Sequence, residues 1–444
     1  MLEAAASARV NRDELLGRLA GVFGRREPRL QAGRYVDGLI GDTPRKNGWS
    51  LAERAGDRIP DKTQRLLNHA VWDHEKAMGV VRAFAVEHLG DPDAVAVLDE
   101  SGQEKKGECT AGVKRQYVGC AGRVANAVNV VYCTYAGPGG HAQVGARLYL
   151  PKEWAGDPER RERAGVPEGV VFKTKPQLAV DILTDLEGAG ALPPWVTADE
   201  VYGRDTPLRA FCQDRGVGYV LGVPCSFTVT LTSRRRVRAD KALKLVPAKG
   251  WNRASCGPGS KGDRTYAWAW VATAGSRHHL LVRRNLTDPA DQAYFYCYIP
   301  PGRPLTLGTL VKVAGMRWPV EEDFQVGKDH FGLDHSQVRL HTALMRHLVL
   351  AMTALAICAV TAAAMRDATA TLTPAPTGPH DQPPDDPGLI PLTVAEVKRL
   401  LNLLTRTRHA LTRCLHWAWW RRRHQARARW FHQRTRLRRQ AEAT

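Results

Sequence analysis

At 444 residues the chain has room for two or three domains of about 100 to 200 residues each, and 43% hydrophobic residues can bury an ordinary core, which excludes disorder throughout. Its 64 lysines and arginines against 45 aspartates and glutamates leave +19 at pH 7. That is more than small anionic metabolites require, and it suits a polyanion such as nucleic acid or an anionic membrane. Nine cysteines occur without one C-x-x-C pair, and the opening MLEAAASARVNRDELL lacks the basic and apolar regions of a secretory signal. Both features point to a reducing, cytoplasmic setting, close to the nucleoid if the polyanion is DNA.

Residues 1–90 carry short helical patterns and read as a helical DNA-binding or dimerisation domain. Asn11 with Glu14 resembles a capping box, Pro28 suits a first helical turn and Gly90 suits a stop. Within this region 50–56 and 61–70 make two short helices, spaced as either a helix-turn-helix or an ordinary hairpin. From Ala94 the texture turns to β: AVAVLDE, KRQYVGC, ANAVNVVYCTYAG and HAQVGARLYLP, each bounded by glycine or proline. Helical patterns at 175–188 and 206–215 bracket a strand at 195–199 and precede another at 219–223. Strands followed by strand and helix in alternation predict an α/β fold with a mixed sheet and flanking helices over 91–223.

Residues 224–300 interrupt that alternation with basic loops, a glycine-rich turn (CGPGSKGD) and three strand-like runs, AWAWVAT, HHLLVRRNL and AYFYCYI, and read as a β-rich insertion. Helical texture resumes at 305 and closes the core at 301–368. The uncharged stretch 348–365 just meets the length of a membrane span, but it is alanine-rich and is better read as a buried core helix with no membrane partner. Residues 369–392 form a proline-rich connector. The basic helical tail 393–444 follows: between Val397 and Ala441 there are fourteen lysines and arginines and no acid. Val397, Leu400, Leu404 and Leu411 keep helical spacing there, and aromatics interleave with arginines beyond them.

Three carboxylates stand at element ends. Asp99 ends the strand in VAVLDESG, Asp199 ends the strand in WVTADEVYG, and Glu321 opens a helix after Arg317-Trp318-Pro319. A lone strand-terminal aspartate is more often a turn or a helix cap. Three converging on one sheet edge supply the hard oxygen ligands that two divalent cations about 3.5 to 4 Å apart need for in-line phosphoryl displacement. The histidines and cysteines lack zinc-site spacing, and neither a G-x-S-x-G elbow nor a phosphate-binding G-x-x-x-x-G-K-[ST] loop is present.

The blocks around these carboxylates resemble the DDE transposases of bacterial insertion sequences, most of all the branch called insertion-sequence family seven-oh-one, related to the hairpin-forming transposases. The blocks are LDESGQEKKG, KRQYVGCAGRVANAV, RLYLPKEW, GVVFKTKPQLA, VTADEVYGRD and RWPVEEDFQVGKDHFGLDHSQVR. The family's third-carboxylate pattern, Y-x2-R-x3-E-x6-K, puts Arg317, Glu321 and Lys328 in register and so selects Glu321 over Glu322, while Ala314 replaces the tyrosine. Positions seven apart on a helix differ by only about 20° in azimuth, which sets Lys328 on the face of Glu321.

The resemblance implies an RNase H-like core in which Asp99, Asp199 and Glu321 hold two Mg²⁺ ions, with Mn²⁺ able to substitute. It implies cut-and-paste transposition through a DNA hairpin, acting on double-stranded DNA (the terminal inverted repeats and the target) as a homodimer. Arg317 and Lys328 then hold phosphate. Further DNA contacts are expected from Lys105 and Lys106 of the first block, from Arg421, Arg422 and Arg423 of the tail, and from Trp251, a candidate for stacking on an extruded base. Trp268 and Trp270, in alternating AWAWV, read as a strand with one buried face. A nuclease without strand transfer, or a non-catalytic DNA-binding regulator, are the alternatives the sequence leaves open.

Overall fold

The computed structural model describes residues 1–259, 262–371, 381–382, 385–386, 388–405 and 410–442, so half of the expected connector lies outside the described residues. Five helices lead the chain: α1 (Leu2–Leu19), α2 (Arg26–Ile40), α3 (Gly48–Arg54), α4 (Asp61–Asn68) and α5 (His74–Leu89). Asn47 caps α3 by accepting from the amides of Trp49 and Ser50, Asp73 caps α5, and α5 stops at Gly90 as expected. Asn11 does not open a helix. It lies inside α1, buried, and its amide donates to Thr361 Oγ1 at 2.9 Å. A polar residue that looks like a cap is here a cross-link to a distant helix.

The next strands are β1 (Val95–Glu104), β2 (Lys114–Val118), β3 (Arg123–Gly137) and β4 (Gly140–Leu148). The short helices α6 (Lys152–Ala155) and α7 (Pro158–Arg163) lead to α8 (Lys175–Gly188), whose start is set by a Thr174–Gln177 capping box and Pro176. Then come β5 (Trp195–Ala198), α9 (Glu200–Gly203), α10 (Thr206–Asp214) and β6 (Gly218–Val223). Segment 224–300 contributes β7 (Thr228–Thr230), β8 (Arg236–Arg238), α11 (Ala239–Ala242), β9 (Asn252–Gly259), β10 (Gly262–Ala272), β11 (His278–Arg284) and β12 (Gln292–Tyr298).

One mixed sheet of ten strands runs β2-β3-β1-β5-β6-β12-β11-β10-β9, with β4 also beside β3. The long β3 pairs along one edge with β1 and shares its other edge between β2 and β4. β1, β5 and β6 are mutually parallel, and β1, flanked by β3 and β5, is apolar and buried from Val95 to Leu98. The inserted strands extend this same sheet: β12 pairs antiparallel with β6, so the edge that β6 would otherwise leave open is satisfied. Among the described strands only the β7–β8 hairpin stands apart, over a small core of Val229, Leu231, Leu280 and Val282.

After the sheet come α12 (Leu307–Gly315), α13 (Trp318–Phe331), α14 (His341–Ala364) and α15 (Arg366–Thr369). The span-length α14 is buried along most of its length against α1, α2, α5, α16 and β4. Its Arg346 donates to the carbonyls of Leu67 at 2.9 Å and Trp72 at 2.6 Å. The expected single last helix is two, α16 (Val394–Thr405) and α17 (Leu411–Glu442). Val397 and Leu401 are buried, whereas Leu404 and Leu411 are exposed. The start of α17 docks on α3 and the loop after it: Trp417 is fully buried and donates to Asp57 O at 2.9 Å, and Trp420 meets Trp49 edge-on.

Candidate active site

The parallel pair β1–β5 is in register at Leu98↔Ala198. Asp99 and Asp199 are the next residue on each strand, so they emerge side by side from neighbouring strands about 4.8 Å apart. Asp99 also pairs across β3 with Tyr132, and opposed residues share a face. That face belongs to α13, because Tyr132 packs edge-on against Phe324 and Thr134 donates to Asp323 at 2.7 Å. The pleat sends Glu100 the other way, where it pairs with Lys175 at the start of α8 and accepts from Tyr202 Oη at 2.8 Å. Asp199 caps the one-turn α9, accepting from Val201 N at 2.8 Å. A Cβ on Gly203 would lie 1.9 Å from Gly222 O, so glycine there lets α9 rest directly on β6 and fixes the chain just past Asp199.

Glu321 faces the two aspartates from the first turn of α13. The Arg317 guanidinium stands between them, 3.6 Å from Asp99 Oδ2 and 3.4 Å from Glu321 Oε1. Those carboxylate oxygens are therefore no more than about 7 Å apart, the two legs laid end to end. All three carboxylates, with Arg317 and Lys328, line one open cleft of about 1260 Å³. Glu322 and Asp323 have structural partners instead. His141 Nδ1 is 2.9 Å from Asp323, and its Nε2 is 3.2 Å from Glu322. Burial works against the His141 charge, but Asp323 and Glu322 outweigh it and push the imidazole up to about 10.

Burial, then the nearby charges of Glu100 and Asp199, push the Asp99 carboxyl up to about 8, against the opposing effects of the Glu100 amide and Arg317. Asp199 is raised by burial and by Glu100. Among the described residues no three acidic, histidine or cysteine side chains close tightly around a single point. The donor set nevertheless fits divalent cations. The ligands are hard oxygens, their crowded negative charge is offset only in part by Arg317, and the span from Asp99 to Glu321 is within reach of two ions about 4 Å apart with oxygen ligands at about 2.0 to 2.1 Å.

Because the folded pKa of Asp99 lies above its unfolded value near 3.9, the folded metal-free chain keeps a proton that the unfolded chain loses between about pH 4 and pH 8. Stability therefore falls as pH rises through that window. Asp99→Asn should raise the melting temperature in EDTA at pH 8 and flatten the decline from pH 5. Parallel melting curves for the two proteins would remove Asp99 as its source.

Other expected contacts lie elsewhere. Lys105 donates to Ser336 O at 2.6 Å, and burial pulls its ammonium down to about 8; neither it nor the exposed Lys106 lines the cleft. Trp251 packs against the small core of the insertion under the Arg284 guanidinium, 3.8 Å from the ring centroid. Trp268 is buried and Trp270 stacks on His279, consistent with a strand that packs its rings. Arg421 pairs with Glu53, Arg422 is exposed and Arg423 lies over Trp419. Ala314 is buried in the main core. Lys114, Gln116, Tyr117 and Lys175 also line the cleft; they stand in the family-like blocks KRQYVGCAGRVANAV and GVVFKTKPQLA, without a role of their own in the sequence reading. Glu100 lines it too, next to Asp99 in the block LDESGQEKKG.

A family model described as DDE superfamily endonuclease matches residues 18–269, which include Asp99 and Asp199 and stop short of Glu321. The probable transposase for insertion sequence element IS701 of Microchaete diplosiphon is 26% identical over 223 residues, 49% of this chain. The chain spans about half the length of that curated relative, 54%. The cryo-EM structure of a piggyBac transposase synaptic complex with hairpin DNA aligns over 86% of this chain and 71% of that one, at 10% identity and a TM-score of 0.42. With the family model covering more than half of its length, the chain belongs to the DDE superfamily of endonucleases and is a distant relative of the IS701 transposase.

Proposed function

We propose that this chain is a DDE transposase that cleaves DNA at the ends of a mobile element and joins the freed 3′ hydroxyl to target DNA, by cut and paste through a hairpin, as a homodimer. The observation that carries the reading is the side-by-side emergence of Asp99 and Asp199 from parallel strands, with Glu321 facing them across Arg317. The order β4-β3-β1-β5-β6, antiparallel up to β1 and parallel beyond it, is that of an RNase H-like core and supports the same reading.

Asp99, Asp199 and Glu321 would hold two Mg²⁺ ions, or Mn²⁺ in their place. Bound there, the ions would supply activation of the attacking oxygen and charge stabilisation of the leaving one. Arg317 and Lys328 line the same cleft and present cations to the phosphates flanking the scissile bond. Tyr202 and Lys175 engage the Glu100 carboxylate at the side of the same cleft, which leaves the three carboxylates above as the donor set.

Arg317→Ala and Lys328→Ala should each lose cleavage through misplaced DNA. Since Arg317 offsets the negative charge of Asp99 and Glu321, its removal should leave Mn²⁺ binding intact or tighter, as read by calorimetry. Wild-type cleavage in both variants would remove the phosphate role. Incubation of the purified chain with end-containing DNA and Mg²⁺, with nicks, hairpins and joined products resolved, tests the whole reading. Nicks without joined products would reduce the chain to a nuclease, and binding without cleavage to a regulator.

A further inference from the structure

We propose that a second, basic pocket beside the active-site cleft holds the phosphate backbone of the DNA segment flanking the cut; this rests on the transposase reading above. The pocket, about 760 Å³, is lined by five cations, Lys114, Arg115, Arg160, Arg163 and Arg339, against two carboxylates, Glu108 and Glu153. It gathers β2, the α6–α7 segment and the stretch before α14. A hydrogen bond of 2.9 Å from Ala111 N to Arg339 O ties two of these together.

Part of the pocket is rigid. The Trp154 ring is buried, with its Nε1 donating to Val113 O at 2.7 Å. The Arg160 guanidinium lies 3.9 Å from the centroid of that ring and donates to the carbonyls of Glu108 and Val113, both at 3.3 Å. A cation stacked in this way is held in place before any ligand arrives. Arg115 and Arg339 are exposed and make no side-chain hydrogen bond or ion pair among the described residues. Among the described residues these two cations have no ion-pair partner, whereas Lys114 pairs with Glu153 and Arg163 with Glu159.

Continuity with the cleft identifies the occupant. Lys114 lines both spaces, and Gln116 and Tyr117 of the same strand line the cleft. β2 ends the sheet on this side, so a strand of DNA leaving the carboxylates can run along it into the second pocket. Phosphates read by arginine carry little sequence information directly, so the contact would act on any flanking sequence.

Cys109, exposed and on the wall of the pocket, is a built-in reporter, with exposed Cys225 as the reference. End-containing DNA at ten times its Kd should slow alkylation of Cys109 about tenfold while Cys225 reacts as before. The double variant Arg115→Glu/Arg339→Glu should melt like the wild type and flatten the slope of log K against log salt by about 1.8. Unchanged Cys109 labelling and an unchanged slope, in a chain that still cuts end-containing DNA, would overturn the pocket and leave the transposase reading standing. A wild-type chain that neither binds nor cuts such DNA would overturn both.

Discussion

Alanine at Asp99, at Asp199 or at Glu321 is expected to abolish cleavage of end-containing DNA while leaving affinity for that DNA nearly unchanged. Each of these carboxylates lines the cleft, and removing an acid there takes away none of the cations, Arg317 and Lys328 among them, that would meet a phosphate backbone. Each is also a separate part of the donor set: two come from adjacent strand ends in register, and the third from a helix that reaches over the same face. Losing a direct ligand should exceed the roughly 10- to 100-fold cost of losing an outer-shell partner. Glu322→Ala is the internal control. Its carboxylate is engaged by His141, so it should lose some stability through α13 and retain cleavage. If Glu322→Ala is inactive and Glu321→Ala is active, the assignment of the third carboxylate moves by one residue.

Much of the architecture was legible because local chemistry and tertiary demand agree. The strands around 95–148 alternate or run apolar as buried strands do, and α8 begins and ends where its capping box, Pro176 and the loss of apolar spacing put it. Three kinds of feature were not legible. The strands β7, β8 and β9 lie in arginine- and glycine-rich text, and they are strands because each has an edge to pair with, β9 that of β10 and β7 and β8 each other's, not because of propensity. Asn11 was misread because a buried amide and a helix cap are the same residue type in one dimension. In the site, the sequence placed three carboxylates at element ends but held nothing about the Leu98↔Ala198 register that sets two of them side by side. Nor could it show that Lys105 donates to the Ser336 carbonyl, 231 residues away.

The two readings of the basic tail, a grip on DNA and a structural strut, belong to different parts of one helix, and truncation at two points should separate them. The early turns of α17 are structural: Trp417 is fully buried, His416 bonds the Arg58 carbonyl at 2.9 Å, and Arg421 pairs with Glu53. Beyond His424 nearly every described side chain is exposed. Aromatic–arginine stacks support the stem there, with Arg434 over both Trp430 and Phe431. From Gln425 to Glu442 the sequence has six arginines and one acid, the terminal Glu442. Like charges at i,i+4, such as Arg423 with Arg427 and Arg434 with Arg438, work against an isolated helix, and a polyanion would relieve them.

Truncation after His424 should therefore leave the melting temperature nearly unchanged. It should flatten the slope of log K against log salt by as much as about 5, at about 0.9 for each phosphate that is no longer neutralised. Truncation after Pro391 also removes Val397, Leu401 and Trp417, buried side chains each contributing about 1.5 to 3 kcal/mol, so it should lower the melting temperature as well. The measurement is a pair of salt titrations and a pair of melts. A slope that does not move in the shorter truncation would make the exposed stem something other than a DNA grip, and a melting temperature that does not move in the longer one would contradict the docking of α17 on α3.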